Sequence, residues 1–303
     1  MIDLDRGENL TRGRGGPGPG AIDPDLSARA CPACGARGAI PFCPGQARGR
    51  GQSLAVRCPQ CSLVYIDPVP PEATAHESYG SGYYEPWQGR EERARLRLWS
   101  RRLQMVEARA RRGALLDVGC GDGLFPRVAK DAGWRVDGIE FSPEGARRSS
   151  HRLGRPVAVG DLTRERVLRG PFDVITLWHV LEHLVEPAAM LDAARARLRP
   201  GGLLVVAVPN FDNLPMRAAY RLARGRPLPL YETGAREPHI SHFSPRTLAA
   251  FLRRRGFAGI ELRPDRCALT LPKKCIDAAA AFLSFLSRRL LTDAMVAFCR
   301  RPR

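Results

Sequence analysis

At 303 residues, 44% apolar and 26% charged, the chain is long enough for one α/β domain plus a small extra module. It has no uninterrupted apolar run of about 18 residues, so no helical membrane span is indicated, and its first residues lack a basic-then-apolar export signal. Nine cysteines without such a signal predict a reducing, cytoplasmic setting with thiols or metal rather than disulfides, and the net charge of +17 points to an anionic partner such as RNA, a phosphorylated substrate or a membrane surface.

Only three of the 48 basic residues are lysine, a skew that coding bias explains without explaining the excess positive charge. Residues 1–28, rich in Gly, Arg, Pro and Asp, bury too little apolar surface to offset ordering entropy and are predicted to be disordered. Residues 29–70 hold two knuckles, Cys31-x-x-Cys34 and Cys58-x-x-Cys61. Each knuckle turns two thiolates to one side, so two of them close a tetrahedral zinc shell with no open position, which makes the metal structural. Four reduced cysteines without metal are the alternative, and Cys43 between the pairs is spare. Tyr79, Tyr83, Tyr84 and Trp87 form an aromatic cluster expected to close over a ligand. A basic helix over about 89–112 follows, with Leu96, Trp99, Leu103 and Val106 as its core-facing stripe.

From residue 114 onward apolar strands alternate with helical stretches, which predicts a parallel sheet covered on both faces. The first strand runs into Asp117-Val118-Gly119-Cys120-Gly121-Asp122-Gly123, where alternate glycines let a ligand approach the backbone. Leu124 stands where the dinucleotide fingerprint needs its third glycine. The second strand, 135–140, ends in Glu140, an acid placed to accept from both hydroxyls of a ribose. Ser142-Pro143 then caps a helix. A third strand over 156–161 exits on Asp161, a fourth over 172–178 exits on His179, and a fifth covers 203–208. An insertion reaches about residue 243 and carries His239 and His242. A helix capped by Ser244 runs to Arg255, and strands are expected over 257–263 and, antiparallel, over 293–300. Between them the apolar stretch 274–290 is expected to be a helix packed on the sheet, in preference to one touching a membrane or a second subunit.

The glycine turn with its strand-exit acids resembles the class I S-adenosylmethionine-dependent methyltransferases over about residues 75–300. That resemblance implies an α/β fold with the seven-stranded Rossmann-like sheet of that class, beside a small N-terminal zinc ribbon, and domains at 29–70 and 75–303. It implies S-adenosylmethionine as cofactor, held by Asp117, Gly119, Cys120 and Gly121 at its methionine part, by Glu140 and Phe141 near the ribose, by Asp161 and Leu162 at the adenine, and by Trp178. His179, at the methyl-transfer centre, is the candidate general base, with packing beside the methionine moiety as the alternative. His239 and His242 are candidates for the acceptor pocket.

Trp178-His179-Val180-Leu181-Glu182-His183 looks like the matching segment of ubiquinone-pathway O-methyltransferases, whose Glu-x-x-Glu-His run can hold a divalent cation; here His179 replaces the first glutamate. A ribbon ahead of this domain resembles a bacterial group tied to natural-product and surface-glycan pathways. It is also similar to sugar C-methyltransferases, which carry a large further domain, and to zinc-bearing ribosomal RNA methyltransferases. No Asp/Asn-Pro-Pro-Tyr run and no Pro-Cys nucleophile follow the fourth strand, which disfavours base amines and cytosine C5 as acceptors. The expected activity is methyl transfer to a small-molecule or carrier-linked sugar acceptor at oxygen. The alternatives are an RNA methyltransferase using ribbon and arginines, and a non-catalytic scaffold.

Overall fold

A computed structural model describes residues 29–42, 53–70, 90–231, 238–267 and 271–303. The expected disordered tail 1–28, Cys43, and the cluster of Tyr79, Tyr83, Tyr84 and Trp87 lie outside the described residues. Three short strands come first: β1 (Ile40–Pro41), β2 (Leu54–Arg57) and β3 (Val64–Asp67). Helix α1 (Arg90–Glu107) leads into β4 (Ala114–Val118), α2 (Leu124–Asp131), β5 (Arg135–Glu140), α3 (Pro143–Leu153), β6 (Ala158–Val159) and β7 (Phe172–Trp178). Then come α4 (Pro187–Arg197), β8 (Leu198–Pro209), α5 (Leu214–Arg224), β9 (Ser241–His242), α6 (Pro245–Arg254), β10 (Ala258–Asp265), α7 (Leu271–Ser287) and β11 (Ala294–Arg300).

The large sheet has the order β10-β11-β8-β7-β4-β5-β6. Strands β6, β5, β4, β7 and β8 are parallel, and β11 pairs antiparallel with both β8 and β10. The chain builds outward from β4 through β5 to β6, then returns to the other side of β4 as β7. A crevice therefore opens where β4 and β7 end, the usual ligand site of an open α/β sheet. Strand composition explains the burial: Leu203 to Val208 in β8 and Met295 to Cys299 in β11 are all at most 2% exposed, as a sheet covered on both faces requires.

Caps behave as the sequence predicts. Ser142 accepts from Gly145 N–H at 3.2 Å with Pro143 in the first turn of α3, and Ser244 and Thr247 form a reciprocal capping box on α6. Helix α1 ends at Glu107 rather than 112, and Leu96 of its expected stripe is exposed, while Leu103 and Val106 are buried. The third strand shrinks to Ala158–Val159.

Two differences concern placement. The cysteine segment shares a sheet with the rest of the chain: β3 pairs with β9 in register Val64↔His242 and Tyr65↔Ser241, giving a second sheet of order β1-β2-β3-β9. The apolar helix α7 lies against α5 rather than flat on the sheet, with Phe282, Phe285 and Leu286 exposed. Among its described side chains only Asp277 and Ala280 are buried, so most of its apolar residues stay uncovered.

Candidate active site

The glycine turn is shaped by its neighbours. Gly119 has φ +70, and a Cβ there would stand 2.6 Å from a methyl of Val180. Glu140 ties the turn to α3, accepting from Gly121 N–H at 2.8 Å and Ser142 N–H at 2.9 Å. Each of its carboxylate oxygens retains a second lone pair for a ligand. Burial pushes its pKa up, against those backbone bonds. Asp117 is buried in β4 and accepts from the Thr176 hydroxyl at 2.6 Å; burial pushes its carboxyl up to about 8. Arg95 of α1 makes a two-armed bond to Asp122 at 2.8 and 2.9 Å, which pins α1 over the turn.

The remaining cofactor candidates divide by orientation. Cys120 turns its thiol into the core against Ser149, 3.3 Å away, which leaves only its backbone for a ligand at the turn. Asp161 accepts from Thr163 N–H at 2.8 Å, Leu162 is fully buried, and Phe141 is half-buried. Trp178 stacks edge-on with Trp99 and Phe125, centroids 5.9 and 5.4 Å apart, beneath the guanidinium of Arg102.

His179 is the pivot of a charged cluster. It sits at φ +57, a strained conformation for a residue with a side chain, and its N–H bonds Ala207 O at 2.9 Å. Its Nδ1 lies 3.3 Å from Glu182 Oε1, its Nε2 3.4 Å from Asp265 Oδ2 and 3.0 Å from Arg102 Nη2. Arg102 clamps Asp265 with bonds of 3.2 and 2.5 Å, both side chains nearly inaccessible to water. Burial alone would lower the His179 pKa, but Asp265 and Glu182 outweigh it and raise it to about 9. Burial likewise opposes ionisation of Glu182 and Asp265. The groups beside them prevail, bringing Glu182 down to about 2 chiefly through His179, and Asp265 well below the usual range through Arg102 and His179.

Of the two histidines expected at the acceptor pocket, His239 lies beside Glu182 and His183 of this cluster, and His242 stands apart from it. Ile240 N–H bonds Glu182 O at 2.9 Å, and the rings of His183 and His239 meet at 4.9 Å. Ligand atoms of Glu182, His183 and His239 lie within 4.8 Å of one another. His242 is held in β9 beside Phe211, with rings 6.1 Å apart. Burial lowers the pKa of His239 to about 4 and of His242 to about 3, so both are neutral. The indole N–H groups of Trp99 and Trp178 and Oε2 of Glu182 are buried without a hydrogen bond. Such groups cost about 1–3 kcal/mol each when unmet, and a polar ligand bound here would supply their partners.

The four expected cysteines converge. Cys31 and Cys61 sulfurs lie 3.5 Å apart, as do those of Cys34 and Cys58, and all four fall within 4.8 Å. A tetrahedral zinc with bonds of about 2.3 Å separates its sulfurs by about 3.8 Å, so the donor set fits the ion. Gly35 N–H to Cys31 O and Ser62 N–H to Cys58 O close the two knuckles.

Sequence reasoning passed over Arg102, Asp265 and Thr176. Asp265 is an acid at the exit of β10, so the rule that selected Glu140 and Asp161 also covers it. The predicted strand stopped two residues short of it. Arg102 carried no signal, because an arginine on a basic helix reads as solvated.

A family model described as a methyltransferase domain matches residues 90–262, more than half of the chain. The ubiquinone biosynthesis O-methyltransferase of Xanthomonas euvesicatoria is 36% identical over 124 residues, 38% of this chain and 49% of that protein. That of Xylella fastidiosa is 34% identical over 146 residues, 44% of this chain and 56% of its own length. The chain thus spans about half the length of the curated relatives it matches. Among solved structures, a Thermotoga maritima S-adenosylmethionine-dependent methyltransferase, described as a possible histamine N-methyltransferase, superposes with TM-score 0.51 at 17% identity, over 75% of this chain and 98% of its own. The Burkholderia thailandensis 1,6-didemethyltoxoflavin-N1-methyltransferase gives 0.50 at 17%, over 85% and 99%. The sheet order, the glycine turn at its switch point and these matches together place the chain in the methyltransferase-domain family, with the class I S-adenosylmethionine-dependent fold.

Proposed function

We propose that the chain transfers a methyl group from S-adenosylmethionine to an oxygen of a small molecule, with a carrier-linked sugar as one acceptor class. The observation that carries this is His179, held just past the end of β7 between Asp265 and Glu182. The similarity to O-methyltransferases supports oxygen as the acceptor atom. The bound cofactor would supply an electrophilic methyl on a sulfonium. Asp117, Gly119, Gly121, Glu140, Phe141, Asp161, Leu162 and Trp178 would hold it, with the Cys120 backbone.

Transfer forms an oxygen–carbon bond as a sulfur–carbon bond breaks, and the acceptor hydroxyl must lose its proton. His179 takes that proton, Asp265 and Glu182 stabilise the resulting imidazolium, and Arg102 holds Asp265 in place. His239 lines the acceptor side, and His242 supports that segment from β9. Cys31, Cys34, Cys58 and Cys61 hold one structural zinc, since four thiolates leave no open position.

The test is transfer of a labelled methyl group from S-adenosylmethionine to a panel of phenols, sugars and amines, with cofactor binding followed by calorimetry. Binding together with labelled ethers from hydroxyl acceptors is the expected result. Absence of cofactor binding would refute the reading, and label on nitrogen alone would refute the oxygen assignment.

A further inference from the structure

The pair of helices α5 and α7 leaves apolar surface that the fold does not use. No side chain of α5 is buried, and Leu214, Ala218 and Leu222, four residues apart, share one side of it. Leu214 and Ala218 line a groove completed by Leu283, Leu286 and Leu291, and Leu222 lies one turn beyond it. Leu222 is 88% and Phe285 82% exposed, and Phe282 and Leu286 also stand in solvent. Single exposed leucines are ordinary, but a contiguous set on two adjoining helices marks an interaction surface.

The rim of this surface is mainly basic, with Asp212 exposed just ahead of Leu214. Arg221, Arg224 and Arg226 are exposed at one end, Lys273 and Lys274 precede the patch on α7, and Arg288 and Arg289 follow it. Residues 214–231 contain no acid, and Asp277, the only acid of α7, is buried. A second copy of the chain would set this basic rim against itself. A surface that accepts leucine and phenylalanine while presenting negative charge meets both demands. Neither helix is long and apolar enough to cross a bilayer, so such helices lie in the interfacial plane.

We infer that the paired faces of α5 and α7 dock the protein on an anionic lipid bilayer. The surface adjoins the acceptor side of the crevice: Arg217 of α5 stacks over Phe211, whose ring meets His242. Docking therefore places the acceptor-side segment next to the lipid headgroups.

Sedimentation of the full chain with vesicles of phosphatidylcholine, alone or mixed with phosphatidylglycerol, tests this. The protein should pellet with the anionic vesicles, less so as salt rises, and stay in solution with phosphatidylcholine alone. Replacing Arg221 by Ala should weaken partition about fivefold. Leu222→Glu combined with Phe285→Glu should weaken it at least about tenfold, with an unchanged melting temperature. No binding, binding indifferent to phosphatidylglycerol, or a double variant that binds like the parent overturns the inference. So does a dimer in lipid-free solution that the double variant abolishes while the parent ignores vesicles. If the double variant does not fold, hydrogen exchange on the unmodified chain decides. Slowing over 214–224 and 271–287 on adding anionic vesicles supports docking, and unchanged exchange refutes it.

Discussion

An imidazole held between two carboxylates is a poor base while it keeps its proton. His179, raised to about 9 by Asp265 and Glu182, is charged at neutral pH in the free protein. On the proposed reading a sulfonium bound beside His179 would add a positive charge and lower that pKa, which would let His179 accept a proton once cofactor is present. Histidine-detected NMR titration should therefore give a lower His179 pKa with S-adenosylmethionine than with S-adenosylhomocysteine, whose sulfur is a neutral thioether; equal values would remove His179 from the transfer centre. His179→Ala should cut turnover roughly a hundredfold or more, with a much smaller change in cofactor affinity. The opposite pattern, intact turnover with poor cofactor binding, would make it a packing residue. Glu140→Ala loses two backbone bonds together with the proposed ribose acceptor. Calorimetry should show cofactor affinity reduced about tenfold to a hundredfold, and an unchanged affinity would refute the ribose assignment.

Elements carry the same logic further. Because β9 completes the cysteine sheet and Ile240 beside it bonds Glu182 O, the cysteine segment braces the His239 and Glu182 segments, whereas the glycine turn is braced by Glu140 and Arg95. Cys58→Ser should therefore release zinc and impair methyl transfer, while cofactor binding largely survives. Elemental analysis should find about one zinc per parent chain, and a zinc-free parent that is fully folded would rule the site out. The strands and caps around the crevice were legible because each has a local cause: apolar runs, glycines at alternate positions, Ser142 and Ser244 as caps. The knuckle spacing was legible for the same reason. Features set by tertiary pairing were not. Nothing local distinguishes Arg102 from the solvated arginines beside it. The β3–β9 pairing joins residues far apart in sequence, and the apolar composition of α7 does not reveal which neighbour covers it.

Across the whole molecule, buried ionisable groups at the crevice tie stability to pH. Asp117 rises from 3.8 to about 8, so the fold favours its neutral form; that contribution is complete below about 4 and lost as pH climbs through 8. His179 rises from 6.5 to about 9, so its contribution is present below about 6.5 and lost by about 9. Both lie on the alkaline side, and the melting temperature of the ligand-free protein should fall between pH 6.5 and 9. His179→Gln should flatten that fall, and a melting temperature that is level or rising over the interval would contradict the cluster's electrostatics.

The pairing of β3 with β9 also has a consequence during synthesis. Val64, Tyr65 and Ile66, at most 1% exposed in the finished protein, leave the ribosome about 175 residues before Ser241. At ordinary bacterial translation rates this edge waits roughly 10–35 s for its partner. Nascent chains of this length therefore display an apolar strand edge, a natural target for holding chaperones. Chains stalled before residue 241 should be cut by protease near residues 63–67, where released full-length protein resists.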